Sequence, residues 1–141
     1  EQKKSFNYLC LGIQTSANTN SLFKKAQKLG VRYILAKDFK KENFTDISDT
    51  IRKFTEEHSH LHVTICTDVF NSAIAPGVSS TQPFGADPEV MLQFLKQIIR
   101  SNKMIGVDIA EVSPRFDHDN RTAKLVAVMI YAIINTLIEI K

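Results

Sequence analysis

Four short apolar runs alternating with four helix-like segments predict an α/β domain built on a mainly parallel sheet. The runs are rich in β-branched and aromatic residues, as in VRYILA at 31–36. The segments between them place apolar residues three and four apart, the spacing of a helix face. The runs are also nearly unbroken by polar residues, which fits a sheet with helices on both faces, a three-layer α/β/α arrangement. With 141 residues, 43% of them hydrophobic and nine of them Phe, the chain can fill the core of one domain or of part of a larger one.

The elements follow in order. NYLCLGI (7–13) is the first strand, and a helix from about Thr19 to Leu29 stops at Gly30, a residue type that ends helices well. VRYILA is the second strand. In DISDTIRKFTEE (46–57), Ile47, Ile51 and Phe54 share one helical face. HLHVTICTDVF (60–70) is the third strand, followed by the long Gly-, Pro- and Ser-rich loop NSAIAPGVSSTQPFGA. Asp87-Pro88-Glu89 then supplies an N-cap, a proline at the first helical position and an acid in the first turn, opening a helix to about Ser101. KMIGVDIAEV (103–112) is the fourth strand, SPRFDHDN its loop, and the final helix spans roughly 121–139.

Charge argues against a nucleic-acid surface. The net charge is +3, and the lysine pairs (Lys3-Lys4, Lys24-Lys25, Lys40-Lys41) are separated by acids and apolar residues instead of forming a stripe. Two cysteines, Cys10 and Cys66, make no disulfide framework, and both sit in strand-like runs, so a reducing cytoplasm is the expected compartment. The apolar stretch 123–140 carries Lys124, Asn135, Thr136 and Glu139 and falls short of the roughly 20 residues of a span; a buried helix is expected there and no membrane.

Open α/β sheets gather chemistry beyond the carboxyl ends of their strands. The loops 68–87 and 111–120 lie there, which places Asp68 and Glu111 on the same rim. Such a pair suits a metal or a cationic ligand, and equally a helix cap or a lysine partner. His60 and His62 share a strand face with Thr64, Cys66 and Asp68, yet at ~3.3 Å per residue His62 lies ~13 Å from Cys66, at the far end. Asp117, His118 and Asp119 could hold a metal, but a structural role is favoured: Asp119 or Asn120 capping the last helix, Asp117 bonding to loop amides, His118 left to meet a ligand. For Cys66 a core-facing thiol is the default, since no base neighbours it at the rim. The sequence has no glycine-rich phosphate loop, no serine elbow and no CxxC.

Two segments carry a family resemblance. TICTDVFNSAIAPGVSSTQPFG resembles the late metal-binding motif of the arginase, agmatinase and formiminoglutamase family (the ureohydrolases), S-x-D-x-D-V-x-D-P-A-x-A-P-G. IGVDIAEVSPRFDHDNRTAKLVA resembles that family's last strand and helix, with D-x-x-E-V-N/S-P followed by T-A. DVF, APGVS and SPRFDHD lean toward the formiminoglutamase branch, and NYLCLGIQT resembles an earlier strand of it.

The resemblance implies an arginase-like three-layer fold, two Mn²⁺ ions and metal-assisted hydrolysis of a linear amidine C–N bond. The expected reaction is N-formimino-L-glutamate to L-glutamate and formamide, in histidine degradation. Asp68 matches a metal ligand, Glu111 the residue that receives the substrate's cationic nitrogens, and Thr64 and Thr122 structural positions. Two departures stand out. Cys66 occupies the place of a bridging aspartate, a soft donor where Mn²⁺ prefers oxygen, and Asn71-Ser72 replace Asp-Pro. The family's G-G-D/N-H-S and D-A-H-x-D motifs do not occur, so residues 1–141 read as the C-terminal half of one arginase-like domain. On its own such a chain is expected to be inactive and to self-associate through a truncated sheet. Agmatinase or arginase specificity, a degenerate non-catalytic member kept for assembly, and a plain α/β ligand-binding domain are the alternatives.

Overall fold

The computed structural model describes residues 7–141; the Lys3-Lys4 pair lies outside them. β1 (Leu9–Ile13), α1 (Asn20–Lys28), β2 (Arg32–Leu35), α2 (Phe44–Glu56), β3 (Leu61–Cys66), α3 (Pro88–Arg100), β4 (Met104–Ala110) and α4 (Arg121–Glu139) follow the predicted order. All strand pairing within these elements is parallel. It forms two separate ladders, β1–β2 and β3–β4. The register of the first slips beside Gly12, so Leu11 meets Ile34 and Ile13 meets Leu35.

Strand alternation sorts the layers. Leu9 and Leu11 of β1 and Ile34 of β2 pack with α2 and α3 around buried Ile47, Ile51, Val90 and Phe94. Val63, Ile65, Val107 and Ile109 pack with α3 and α4 around Leu95, Ile99, Met129 and Ile133. Tyr8, Cys10 and Tyr33 point the other way and meet Leu22, Phe23 and Ala26 of α1, which has no buried residue of its own. Three helices therefore form one outer layer and α1 begins the other.

The expectation of a sheet covered on both faces holds only in part. On β3 and β4 the residues Leu61, Val63 and Ile65 turn inward, while His62, Thr64, Cys66 and Asp108 stay exposed, because no described helix lies over them. The expected buried helix at the C-terminus is likewise half right. Met129, Ala132 and Ile133 of α4 are buried, but Tyr131 and Ile138 on its other side are 67% and 66% exposed. By length and composition alone α4 is enough to cross a membrane; its inner side is packed into the domain core.

Helix ends obey local chemistry. Asp87 accepts from the Glu89 amide at 2.7 Å with Pro88 at the first position, as the sequence indicates. Phe94 anchors the core with its ring 4.7 Å from stacked Phe44 and 5.2 Å from Phe39, edge on. Phe94→Ala is expected to cost about 3–5 kcal/mol, whereas Phe84→Ala, on a ring 88% exposed, should leave the urea midpoint nearly unchanged.

Candidate metal and substrate site

The rim of β3–β4 is built by register. Thr64 pairs with Asp108 and Cys66 with Ala110, so the residues just beyond, Asp68 and Glu111, leave the sheet side by side. β3 ends at Cys66, earlier than the sequence pattern suggests. A single 3-10 turn over Thr67–Val69 follows it. That turn buries Thr67, whose hydroxyl donates to the Ala110 carbonyl at 2.9 Å and ties the two strand ends together. Asp68 is left half-buried above it.

Glu111 takes the left-handed region at φ 70°. For a residue with a side chain this costs about 1–2 kcal/mol, a local strain of the kind that collects at functional sites.

Electrostatics mark the pair. Burial, then the Glu111 charge, holds the Asp68 carboxyl above its ordinary value. Burial first, and then the charges of Asp68, Glu111 and Asp108, push the Cys66 thiol up. Cys66 is exposed, which corrects the core-facing expectation: it occupies the face of β3 that no described helix covers. Kept protonated and beside acids instead of a base, it is a poor nucleophile.

The two rim loops lock onto each other through Gly77. Its amide donates to the Thr122 hydroxyl at 2.7 Å, and its carbonyl accepts from the Ser113 amide at 2.7 Å. A Cβ at Gly77 would fall 2.5 Å from Cβ of Asp117, so only glycine fits. Asp117 in turn accepts from the amides of Thr122 (2.9 Å) and Ala123 (3.0 Å). Burial works to raise its pKa, but those amide bonds outweigh it and leave the carboxyl below its ordinary range. Asp117 is thus the residue that satisfies the start of α4. Asp119 and Asn120, the expected caps, adopt left-handed backbone and make no such bond. His118 lies exposed in the same loop, beside Asp117.

Asn71 closes the long loop. Its side chain accepts from the Ala73 amide at 2.8 Å and donates to the Pro83 carbonyl at 2.6 Å, an arrangement that aspartate, lacking the donor, would not complete. Arg121 reaches from α4 to the Ala73 carbonyl. His62 and Thr64 meet Asp108 at 3.5 and 3.0 Å, at the amino-terminal end of the strands as far as His62 is concerned. Thr67, Gly77 and Asp108 were not singled out by the sequence; the paired strand register was the signal that would have found Asp108.

Among the described residues no three His, Cys, Asp or Glu side chains converge as ligands. The described residues by themselves therefore do not fit a two-manganese centre.

The architecture defines a class first: helices layered on parallel strands, with carboxylates at the strand ends. It superposes on formimidoylglutamase from Bacillus subtilis with a TM-score of 0.85 at 20% identity, over 92% of this chain and 40% of that one. On arginase from Bacillus caldovelox the TM-score is 0.77 at 18% identity, over 92% and 42%. These two likenesses concern the fold. A profile of the Arginase family matches residues 1–135, and the chain belongs to that family. It is 46% identical to a formimidoylglutamase of Clostridium tetani over 136 residues, 96% of this chain and 40% of the relative, so it spans about two fifths of that protein's length.

Two measurements check the site. Thr122→Val removes the acceptor of a buried amide and should destabilise the chain by about 1–3 kcal/mol in urea unfolding. The second concerns pH. Because the folded state raises the Asp68 pKa, it holds that proton more tightly than the unfolded chain does. The resulting stability is present at low pH and is lost as pH rises from the ordinary aspartate value through the raised one. Glu111→Gln removes the repelling charge, so the loss of stability across this acidic window should shrink.

Proposed function

We propose that this chain supplies the C-terminal part of the catalytic domain of a formiminoglutamase-type ureohydrolase. The observation that carries the reading is the meeting of Asp68 and Glu111 at one rim, each beyond the end of a paired strand and, among the described residues, in no ion pair with a lysine or arginine. A half-buried carboxylate repelled by an exposed one beside it favours a cation between or beside them. The identity to the Clostridium tetani formimidoylglutamase supports the choice of branch.

In this proposal the substrate is a small amidine, N-formimino-L-glutamate, which reacts with one water to give L-glutamate and formamide. Glu111 accepts hydrogen bonds from the substrate's protonated nitrogens and sets their orientation. Asp68 is a metal ligand of the completed domain, with Cys66 next to it as a softer donor; His118 lines the substrate side. The ions, Mn²⁺ in this reading, would supply an activated water when bound, and their remaining ligands come from outside these residues. Free Cys10 and Cys66 suit a cytoplasmic setting.

One observation favours a second reading. A thiol in place of a carboxylate disfavours manganese, as a non-catalytic member retained for assembly would tolerate.

The test joins the amino-terminal portion of the Clostridium tetani enzyme to this chain and measures formamide release and bound metal. The chimera is expected to turn over with Mn²⁺, to lose at least ~100-fold in kcat/KM as Glu111→Gln, and to bind Mn²⁺ more tightly as Cys66→Asp. The isolated chain is expected to release no formamide. Turnover by the isolated chain would sink the claim that the site is completed from outside. A metal-free chimera without turnover, unchanged by Cys66→Asp, would support the non-catalytic reading.

A further inference from the structure

On the outer helix layer a groove of about 700 Å³ runs between α2 and α3, a size within the range of small-ligand sites. Side chains hold its two walls in place. The Ser48 hydroxyl donates to the Gln97 side-chain oxygen, and the Gln97 amide donates back to the Ser48 carbonyl, both at 2.9 Å. At the far end Lys103 Nζ donates to the Thr55 carbonyl at 2.7 Å. α2 ends ahead of β3, and Lys103 leads into β4. This end therefore lies at the amino ends of the strands, away from the rim that carries Asp68 and Glu111.

Charge distinguishes the groove. Arg52, Lys96, Arg100 and Lys103 line it, together with one carboxylate, Glu56. Helix ends attract cations without any ligand, because their last carbonyls carry partial negative charge. That accounts for Lys103, bonded to a closing carbonyl of α2, and for Arg100 in the last turn of α3, paired with Glu139 at 3.1 Å. Arg52 is held by Asp49 and Glu56 of its own helix. Lys96 has no such account. It is half-buried, stands a turn before the end of α3, and makes no hydrogen bond or ion pair among the described residues. Taking an ammonium partly out of water without a partner costs free energy, and an anion in the groove offsets that cost.

Lys96 and Arg100 are four residues apart, about 6 Å along α3, with Arg52 on the opposite wall. Cations spread along and across a groove in this way suit two or more linked anionic groups better than one. Guanidinium groups favour phosphate oxygens through paired N–H donors. Arg52 and Arg100 are tied only by exposed ion pairs, contacts weak enough to exchange for a ligand.

We propose that the α2–α3 groove binds a small polyanion with linked phosphates, with Lys96, Arg52 and Arg100 as its contacts. The site is independent of the chemistry at the rim.

Calorimetric titration tests it, with inorganic triphosphate and ATP as probes and no divalent ion present. The proteins are the 141-residue chain and the chimera with the Clostridium tetani amino-terminal portion, and saturable binding of one ligand per chain is expected in both. Lys96→Gln is expected to weaken binding about 10-fold or more, as the loss of one charge-assisted bond does. It should leave the urea midpoint unchanged, since Lys96 holds nothing else. Arg100→Gln is expected to weaken binding similarly. Lys24→Gln, an equal change of charge on exposed α1, is expected to have no effect. ATP binding tighter than triphosphate identifies a nucleotide, with its base toward Phe44 at the other end of the groove; ATP binding no tighter identifies the phosphate chain itself. Absence of saturable binding overturns the proposal. So do equal losses in Lys24→Gln and Lys96→Gln, which show diffuse attraction to a positive chain. Binding to the isolated chain that vanishes in the chimera overturns it too, because the rest of the domain then covers the groove.

Discussion

Everything at the rim depends on one close approach, that of Gly77 to the loop before α4. Without a Cβ, its backbone sits against Asp117 and reaches both the Thr122 hydroxyl and the Ser113 amide. Asp117 meanwhile holds the first amides of α4. A loop after β3, a loop after β4 and a helix start are thereby fixed to one another by polar contacts, of which the Gly77–Thr122 bond is buried and costly to leave unmade. Asp68 heads the first of these loops and Glu111 the second. The sequence's Ala75-Pro76-Gly77 and the threonine of Thr122-Ala123 are two halves of one device.

The electrostatics of the rim set acids against one another. The Asp68 carboxyl and the Cys66 thiol are both pushed above their ordinary values, and Glu111 carries backbone strain. None of these features stabilises the isolated chain. Pre-paid repulsion and strain of this sort are what a binding site retains when its occupant, on arrival, offsets them. The Asn71 closure shows the opposite logic. A position that in the resembling motif is a carboxylate is here an amide with both of its polar atoms used by the loop, so this branch of the rim has been turned to structure.

The outer surfaces tell the same story at larger scale. α4 buries one side and exposes an uncharged seam on the other, β3 and β4 show a bare face, and two ladders stand unjoined. A self-sufficient α/β domain closes such surfaces with its own helices. Here the bare face of β3 ends at Cys66, beside the rim that carries Asp68 and Glu111.

Much of this was legible in the residues. Order and type of all eight elements follow from periodicity, and Asp87-Pro88-Glu89 opens α3 by capping chemistry alone. The rim position of Asp68 and Glu111 follows from two apolar strands ending in acids. These are local properties, fixed by hydrophobic spacing and by which side chains can satisfy a helix end. What only the tertiary structure decided is everything that needs two distant segments at once. Asp117, not Asp119 or Asn120, serves the start of α4, because the chain turns through left-handed backbone before the helix and brings Asp117 back under it. Cys66 faces outward, because no described helix lies over that side of β3. α4 is covered on one side only. Composition makes a helix apolar; whether that apolar side is buried depends on what else is there to pack against it.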